Sequence, residues 1–234
     1  MARKEDLRIQ RTGTVINLRS KKQERRLEPA LRFVEAKIVA KFGVNLEFRK
    51  LWYLKDIVED LRSHFPKVEF HHHFPRTHMR PDGGILLLQR NDGKSFPILI
   101  TEVKNQGTND LRAAEGKAKQ AKGNAIERLG KNVIGFRTAM ITEGIFPFIC
   151  FGDGCDFADD SSILDRVTTI AMFGRLNRIH LHVDGLPQAR FDRGSFFFRH
   201  AAWTAEEMRG PMLEVAEGAV YYYFSKYGDG SFTG

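Results

Sequence analysis

The sequence predicts a single α/β domain, and three stretches carry that prediction. Met79 to Lys104 (MRPDGGILLLQRNDGKSFPILITEVK) holds two apolar runs joined through Asn91-Asp92-Gly93, a hairpin signal because a tight turn needs residues that tolerate positive φ. Downstream, Ile126, Leu129, Val133, Phe136 and Met140 repeat at helical spacing and mark one buried face. Beyond them FPFICF, Phe146 to Phe151, is short and wholly apolar, as a central buried strand requires. Mixed strands and helices, with a helix directly after the hairpin, give the α/β reading.

In chain order, residues 1–28 are dense in Lys and Arg, including Lys21-Lys22 and Arg25-Arg26. They read as a basic arm, partly disordered, that is either simply solvated or lies along a phosphate backbone. The single domain is expected over 29–234. Pro29 suits a first helical position, Val34, Ile38, Val39 and Phe42 follow at helical spacing, and Gly43 can end the helix. A second amphipathic helix is expected from about Leu54 to Phe65. After the central elements, Val167–Phe173, Ile179–Val183 and Ser195–Arg199 read as strands. A last helix is expected from Pro211 to Tyr227, with Met212, Val215, Ala219 and Tyr223 on one side and Gly228 at its end.

Composition narrows the function classes. In 234 residues, 42% hydrophobic and 28% charged is ordinary for a globular domain with a sizeable core. A formal net charge of +8 favours a polyanionic partner. No apolar run approaches the roughly 20 residues of a membrane span and no signal peptide opens the chain. A cytoplasmic protein without a membrane partner is therefore expected. Cys150 and Cys155 have no other thiol or histidine pair nearby to complete a zinc site, so they read as reduced bystanders.

The hairpin carries the chemistry. Alternate strand residues share a face, so Glu102 and Lys104 project to the same side, and the turn brings Asp82 back towards them. Two carboxylates suit a hard divalent cation such as Mg²⁺, and the carbonyl of Val103 can add a third protein oxygen. Lys104 would orient a water and offset phosphate charge. Such a set fits phosphodiester hydrolysis, although an acid-x-lysine triplet alone is usually a surface salt bridge.

GNAIER, Gly123 to Arg128, follows the basic positions Lys117, Lys119 and Lys122. Asn124 with Glu127 three residues later is a helix start with a capping-box-like pair. Asn and Arg are also the side chains that read adenine and guanine edges in the major groove. Two other strings invite metal readings. His71-His72-His73 cannot converge on one ion from a strand, because neighbours point to opposite faces. His180-Leu181-His182-Val183-Asp184 has feasible alternate spacing but lacks a following histidine.

These residues together resemble the type II restriction endonucleases of the EcoRI family, within the PD-(D/E)xK nuclease fold, which implies a mixed central sheet flanked by helices. The resemblance rests on Arg80-Pro81-Asp82-Gly83-Gly84, on Glu102-Val103-Lys104-Asn105-Gln106-Gly107 and on Gly123 through Arg128. Lys131-Asn132 and the segment FPFICFGDGCDF, Phe146 to Phe157, extend it. It is dense from Met79 to Phe157, patchy beyond Arg175 and thin before residue 45.

The resemblance implies a homodimeric, Mg²⁺-dependent enzyme that cuts both strands of a short palindrome in double-stranded DNA. Asp82, Glu102 and Lys104 match the family's catalytic positions, with Asp82, Glu102 and Val103 as the metal-holding set. Asn124, Ala125 and Arg128 match residues contacting adenines, Gln106 a base-proximal position, and Glu127 a residue tying recognition elements across the dimer. Arg175 and Arg178 match a second arginine pair more loosely. The family has a further upstream acid, for which Glu47, Asp56 and Glu59 compete. A basic residue before the Gly-Asn pair bears on the outer base pair in one branch of the family, and here Lys122 stands there. The expected centre is AATT, with GAATTC the first choice and CAATTG the second. A host methyltransferase is implied, though not as a stable complex. Against this stand a structure-selective repair nuclease of the same fold and a non-catalytic DNA-binding module.

Overall fold

The structure is a computed structural model that describes residues 7–9, 15–71, 74–105, 116, 124–157, 164, 176–183 and 193–233, with the backbone alone for 7–9, 15–23, 124–127 and 156. A short ribbon, β1 (Leu7–Ile9) antiparallel to β2 (Val15–Asn17), leads into helix α1 (Leu18–Phe42). After α1 come β3 (Leu46–Arg49), β4 (Trp52–Tyr53), α2 (Leu54–His64) and β5 (His78–Met79). The hairpin strands are β6 (Gly84–Gln89) and β7 (Ser95–Asn105). Helix α3 (Asn124–Ala139), β8 (Phe148–Asp153), β9 (Ser195–Arg199) and α4 (Ala205–Tyr227) complete the domain.

Five strands form the central sheet in the order β3-β6-β7-β8-β9. Pairings are antiparallel up to β7 and parallel from β7 through β8 to β9, so the sheet is mixed as expected. Helices cover both faces. Leu27, Ala30, Leu31, Val34 and Ile38 of α1 and Met212, Val215, Ala216, Ala219 and Tyr223 of α4 bury against Leu86, Leu88, Leu99, Val103, Ile149 and Phe151. On the opposite face Leu129, Val133, Phe136 of α3, with Met140 just beyond it, cover Ile85, Leu87, Ile100, Phe148, Cys150, Phe196 and Phe198. Each buried Val, Leu, Ile, Met or Phe side chain among them contributes about 1.5–3 kcal/mol.

Two helix starts differ from expectation. α1 begins at Leu18 and α4 at Ala205, so Pro29 and Pro211 lie inside their helices instead of opening them. An interior proline costs about 3 kcal/mol, which the buried faces of both helices offset several times over. Val39, expected on the buried face of α1, is exposed, because Ile38 one position earlier already faces the core. Gly43 ends α1 as expected, at φ 65° with its N–H on the Val39 carbonyl.

The strand expected over Phe146–Phe151 starts two residues later and runs to Asp153, while Ser195–Arg199 is a strand over those same residues. Ile179–Val183 forms only an isolated bridge, His182 to Ile145, and Val167–Phe173 lies outside the described residues. No helix among the described residues is long and apolar enough to cross a membrane.

Candidate active site

The site lies where the hairpin strand β7 emerges beside its partner. Asn91-Asp92-Gly93 makes the turn, with Gly93 at φ 85° and the Arg90 N–H on the Lys94 carbonyl. Pairing then runs Leu88 to Phe96 and Leu87 to Pro97, but Leu86 pairs with Leu99, which leaves Ile98 as an extra residue. This bulge shifts the alternation of β7. Leu99 and Val103 face α1 and α4, whereas Ile100 faces α3. Glu102 and Lys104, at two-residue steps from Ile100, therefore lie on the α3 side.

The turn before β6 delivers Asp82. Its neighbour Gly83 sits so close to β7 that a Cβ would overlap Thr101 Oγ1 and lie 2.8 Å from Leu27 Cδ1, while Gly84 takes φ 84°. Only glycine meets both demands, and the Gly83 N–H closes the approach on the Thr101 carbonyl at 3.0 Å.

Asp82, Glu102 and Lys104 converge as the sequence predicts. Lys104 Nζ donates to Asp82 Oδ2 at 2.8 Å, to the Val103 carbonyl at 3.1 Å, and to Glu102 Oε1. The backbone ties the carboxylates reciprocally: Asp82 N donates to Glu102 Oε2 at 3.0 Å, and Val103 N to Asp82 Oδ2 at 3.4 Å. Glu102 is buried, 1% exposed, while Asp82 faces solvent. Burial raises the Glu102 pKa above the usual carboxylate range, against the pull of Lys104. Burial works against the Lys104 charge, yet Glu102 and Asp82 outweigh it and hold its pKa above the ordinary lysine value. Cys150, opposite Glu102 in the β7–β8 register, is a fully buried thiol whose pKa burial pushes well up.

A residue to which the sequence assigned no role completes the cluster. Asn132 of α3 donates through Nδ2 to Glu102 Oε1 at 3.0 Å. The signal that points to it is its spacing: it stands four residues after Arg128, one turn along the same helix face.

The remaining expected residues fall in three groups. Asn124, Ala125 and Glu127 form the first turn of α3, where the backbone alone is described, so the capping and base-reading expectations for their side chains lie outside the described residues. Arg128 is exposed on the same helix. Gln106, Lys122, Arg175, His72, His73 and Asp184 lie outside the described residues. Arg178 is exposed beside Asn177, whose N–H bonds the Phe196 carbonyl of β9, two strands from β7.

The upstream acids expected to compete for the site are committed elsewhere or stand in solvent. Glu47 takes Arg49 Nε at 2.5 Å and Ser95 Oγ at 2.9 Å, and the Arg49 hydrogen bond lowers its pKa. Asp56 lies 4.0 Å from Lys55, and Glu59 is exposed on α2. Among the described residues no three or more of His, Cys, Asp and Glu converge as a metal cluster. What the site offers a cation is two carboxylates and the Val103 carbonyl. Among the described residues Glu102 Oε1 accepts two hydrogen bonds, Oε2 accepts one and Asp82 Oδ1 accepts none. Those free oxygen lone pairs are hard donors, and the set fits Mg²⁺.

On its outer side Asp82 opens into a cleft of about 590 Å³ between α1 and the Arg80–Gly84 turn. Arg25, Arg32, Lys50 and Arg80 line it, interleaved with Glu24, Glu28 and Glu35.

Known proteins resemble the chain in the same region. The family described as restriction endonuclease EcoRI matches residues 10–162. The type II restriction enzyme RsrI of Cereibacter sphaeroides is 32% identical over 226 residues, spanning 80% of this chain and 81% of that enzyme. The type II restriction enzyme EcoRI of Escherichia coli is 30% identical over 96 residues, 38% of this chain and 35% of that enzyme. With the family match spanning more than half its length and the hairpin site assembled at its centre, the chain belongs to the EcoRI restriction endonuclease family.

Proposed function

We propose that this type II restriction endonuclease cuts both strands of a palindromic duplex centred on AATT, with GAATTC the first choice and CAATTG the second. The observation that carries the reading is the convergence of Asp82, Glu102 and Lys104 at one strand end. In the reaction, a water oxygen attacks phosphorus in line, the bond from phosphorus to the 3′ oxygen breaks, and 5′-phosphate and 3′-hydroxyl ends result. Lys104 holds the attacking water and offsets charge on the phosphoryl oxygens. Asp82, Glu102 and the Val103 carbonyl would hold Mg²⁺, which when bound would supply Lewis-acid stabilisation of the phosphoryl charge and lower the pKa of water.

Recognition falls to α3. Asn124, Ala125 and Arg128 read adenines at its start, Gln106 takes a base-proximal position, Lys122 bears on the outer base pair, and Arg175 and Arg178 extend the contact. The basic stretch 1–28 and the cation-bearing cleft beside Asp82 follow the phosphate backbone. Two copies act together, because a dimer axis coincident with that of the palindrome presents each half-site identically, and Glu127 ties the two. A methyltransferase of matching specificity protects the host DNA without joining the enzyme in a stable complex.

The test is digestion of unmethylated phage DNA with Mg²⁺ and with EDTA, followed by sequencing of fragment ends. Discrete Mg²⁺-dependent fragments sharing one AATT-centred palindrome are expected and identify the outer base pair. A smear would indicate a structure-selective nuclease instead, and a duplex shift without cutting would indicate a binding module.

A further inference from the structure

Glu102 is a buried carboxylate with three donors among the described residues, and they come from three different places. Lys104 lies on its own strand, the Asp82 N–H belongs to the hairpin turn, and Asn132 reaches in from α3. Among the described residues Asn132 is the helical donor to the triad. Asparagine is a poor residue for a helix interior, since its side chain competes for backbone hydrogen bonds. Here it is half-buried, one position before Val133 of the buried Leu129–Val133–Phe136 face. Its amide is explained by the bond it makes.

That bond has a geometric consequence. Lys104 and Asn132 both occupy Oε1, so the carboxylate cannot turn freely and the remaining lone pair of Oε2 is held in a fixed direction. Asn132 also stands one turn after Arg128, about 6 Å along a rigid helix whose first turn is Asn124 to Glu127. We propose that Asn132 is a positioning residue, which holds Glu102 in its metal-binding orientation and links it mechanically to the DNA-reading end of α3. The proposal rests on the catalytic reading of Asp82, Glu102 and Lys104.

The experiment compares wild type, Asn132→Ala, Asn132→Leu and Glu102→Ala. The leucine variant keeps the branched shape and heavy-atom count of asparagine and favours the helix, so it supplies a second donor-free variant with different packing. Calcium binding to the enzyme–DNA complex is measured by calorimetry. Single-turnover cleavage in Mg²⁺, DNA affinity without divalent metal, and melting temperature complete the set. Both Asn132 variants should bind Ca²⁺ about tenfold more weakly and cut about 10–100-fold more slowly, with DNA affinity unchanged and with these losses persisting at temperatures well below the melting temperature of each variant. Wild-type Ca²⁺ binding and cutting in both variants, with Glu102→Ala inactive, would overturn the role of Asn132 alone. Loss of activity that tracks a lower melting temperature while Ca²⁺ affinity stays at the wild-type value would overturn it too. Cutting by Glu102→Ala would remove the catalytic reading beneath it.

Discussion

The ammonium of Lys104 sits 2.8 Å from Asp82 Oδ2, across the hairpin from a residue 22 positions earlier. The same nitrogen bonds Glu102 Oε1 and the Val103 carbonyl, so its three N–H groups satisfy the three groups expected to hold the metal. A divalent cation held here would compete with Lys104 for Asp82 Oδ2 and the Val103 carbonyl, while Glu102 offers it Oε2. Lys104→Met should bind Mn²⁺ without DNA about tenfold more tightly, since hydrogen bonds to charged groups are worth about 1.5–3 kcal/mol each. It should cut no DNA while keeping specific binding. Equal or weaker Mn²⁺ binding, measured by titration calorimetry, would contradict this competition.

The approach of the Asp82 turn to β7 depends on Gly83. A methyl group there would overlap Thr101 Oγ1 and press on Leu27 Cδ1. Gly83→Ala should cost about 1–3 kcal/mol of stability, the usual penalty for overpacking. At this chain length that lowers the melting temperature by roughly 2–12 °C. Activity should fall further than stability explains, because Asp82 is the adjacent residue. Gly130→Ala on α3 is the control: nothing lies within 4 Å of its Cβ position, so thermal denaturation should show no loss. An unchanged melting temperature in Gly83→Ala would mean the turn is looser than its packing indicates.

Helix α4 begins with a reciprocal cap, Thr204 Oγ1 accepting from Glu207 N while Glu207 accepts from Thr204 N. Arg199 of β9 grips the same carboxylate, and its hydrogen bond, more than the cap, lowers the Glu207 pKa from 4.5 to about 2. A depressed carboxylate pKa stabilises the fold above the unfolded value, and that contribution is lost as pH falls through the folded value. Glu207→Gln should therefore melt below wild type at pH 7. The gap should close between about pH 4.5 and pH 2. A gap that stays constant across that window would assign the difference to packing instead of charge.

The hairpin and the convergence of Asp82, Glu102 and Lys104 are legible because local signals decide them. Asn91-Asp92-Gly93 sets the turn, and two-residue spacing puts Glu102 and Lys104 on one face. The helix starts were misread at Pro29 and Pro211, where a proline signal outweighed a competing one. For α4 that competitor, Thr204 followed by Glu207, is itself a capping box visible in the sequence. For α1 the deciding fact is tertiary: Leu27 buries against the sheet and carries the helix across Pro29. The Ile98 bulge, the parallel addition of β8 and β9, and the Asn132–Glu102 bond depend on packing between distant segments. No local pattern encodes the 30-residue reach from Glu102 to Asn132.

Arg128 is exposed one turn before Asn132, and the proposed function makes it a reader of base edges. A base contact and a phosphate contact leave different signatures. Arg128→Ala should lower affinity for the cognate duplex by about 1–3 kcal/mol, the worth of one bidentate base contact. Affinity for a duplex with an altered central base pair should change far less. If Arg128 instead holds a phosphate, binding weakens uniformly across sequences and the slope of log affinity against log salt falls by about 1. Fluorescence anisotropy over a salt series on both duplexes, without divalent metal, separates the two. A loss confined to the cognate sequence with an unchanged slope is the expected result, and a uniform loss with a reduced slope would move Arg128 from reading bases to holding the backbone.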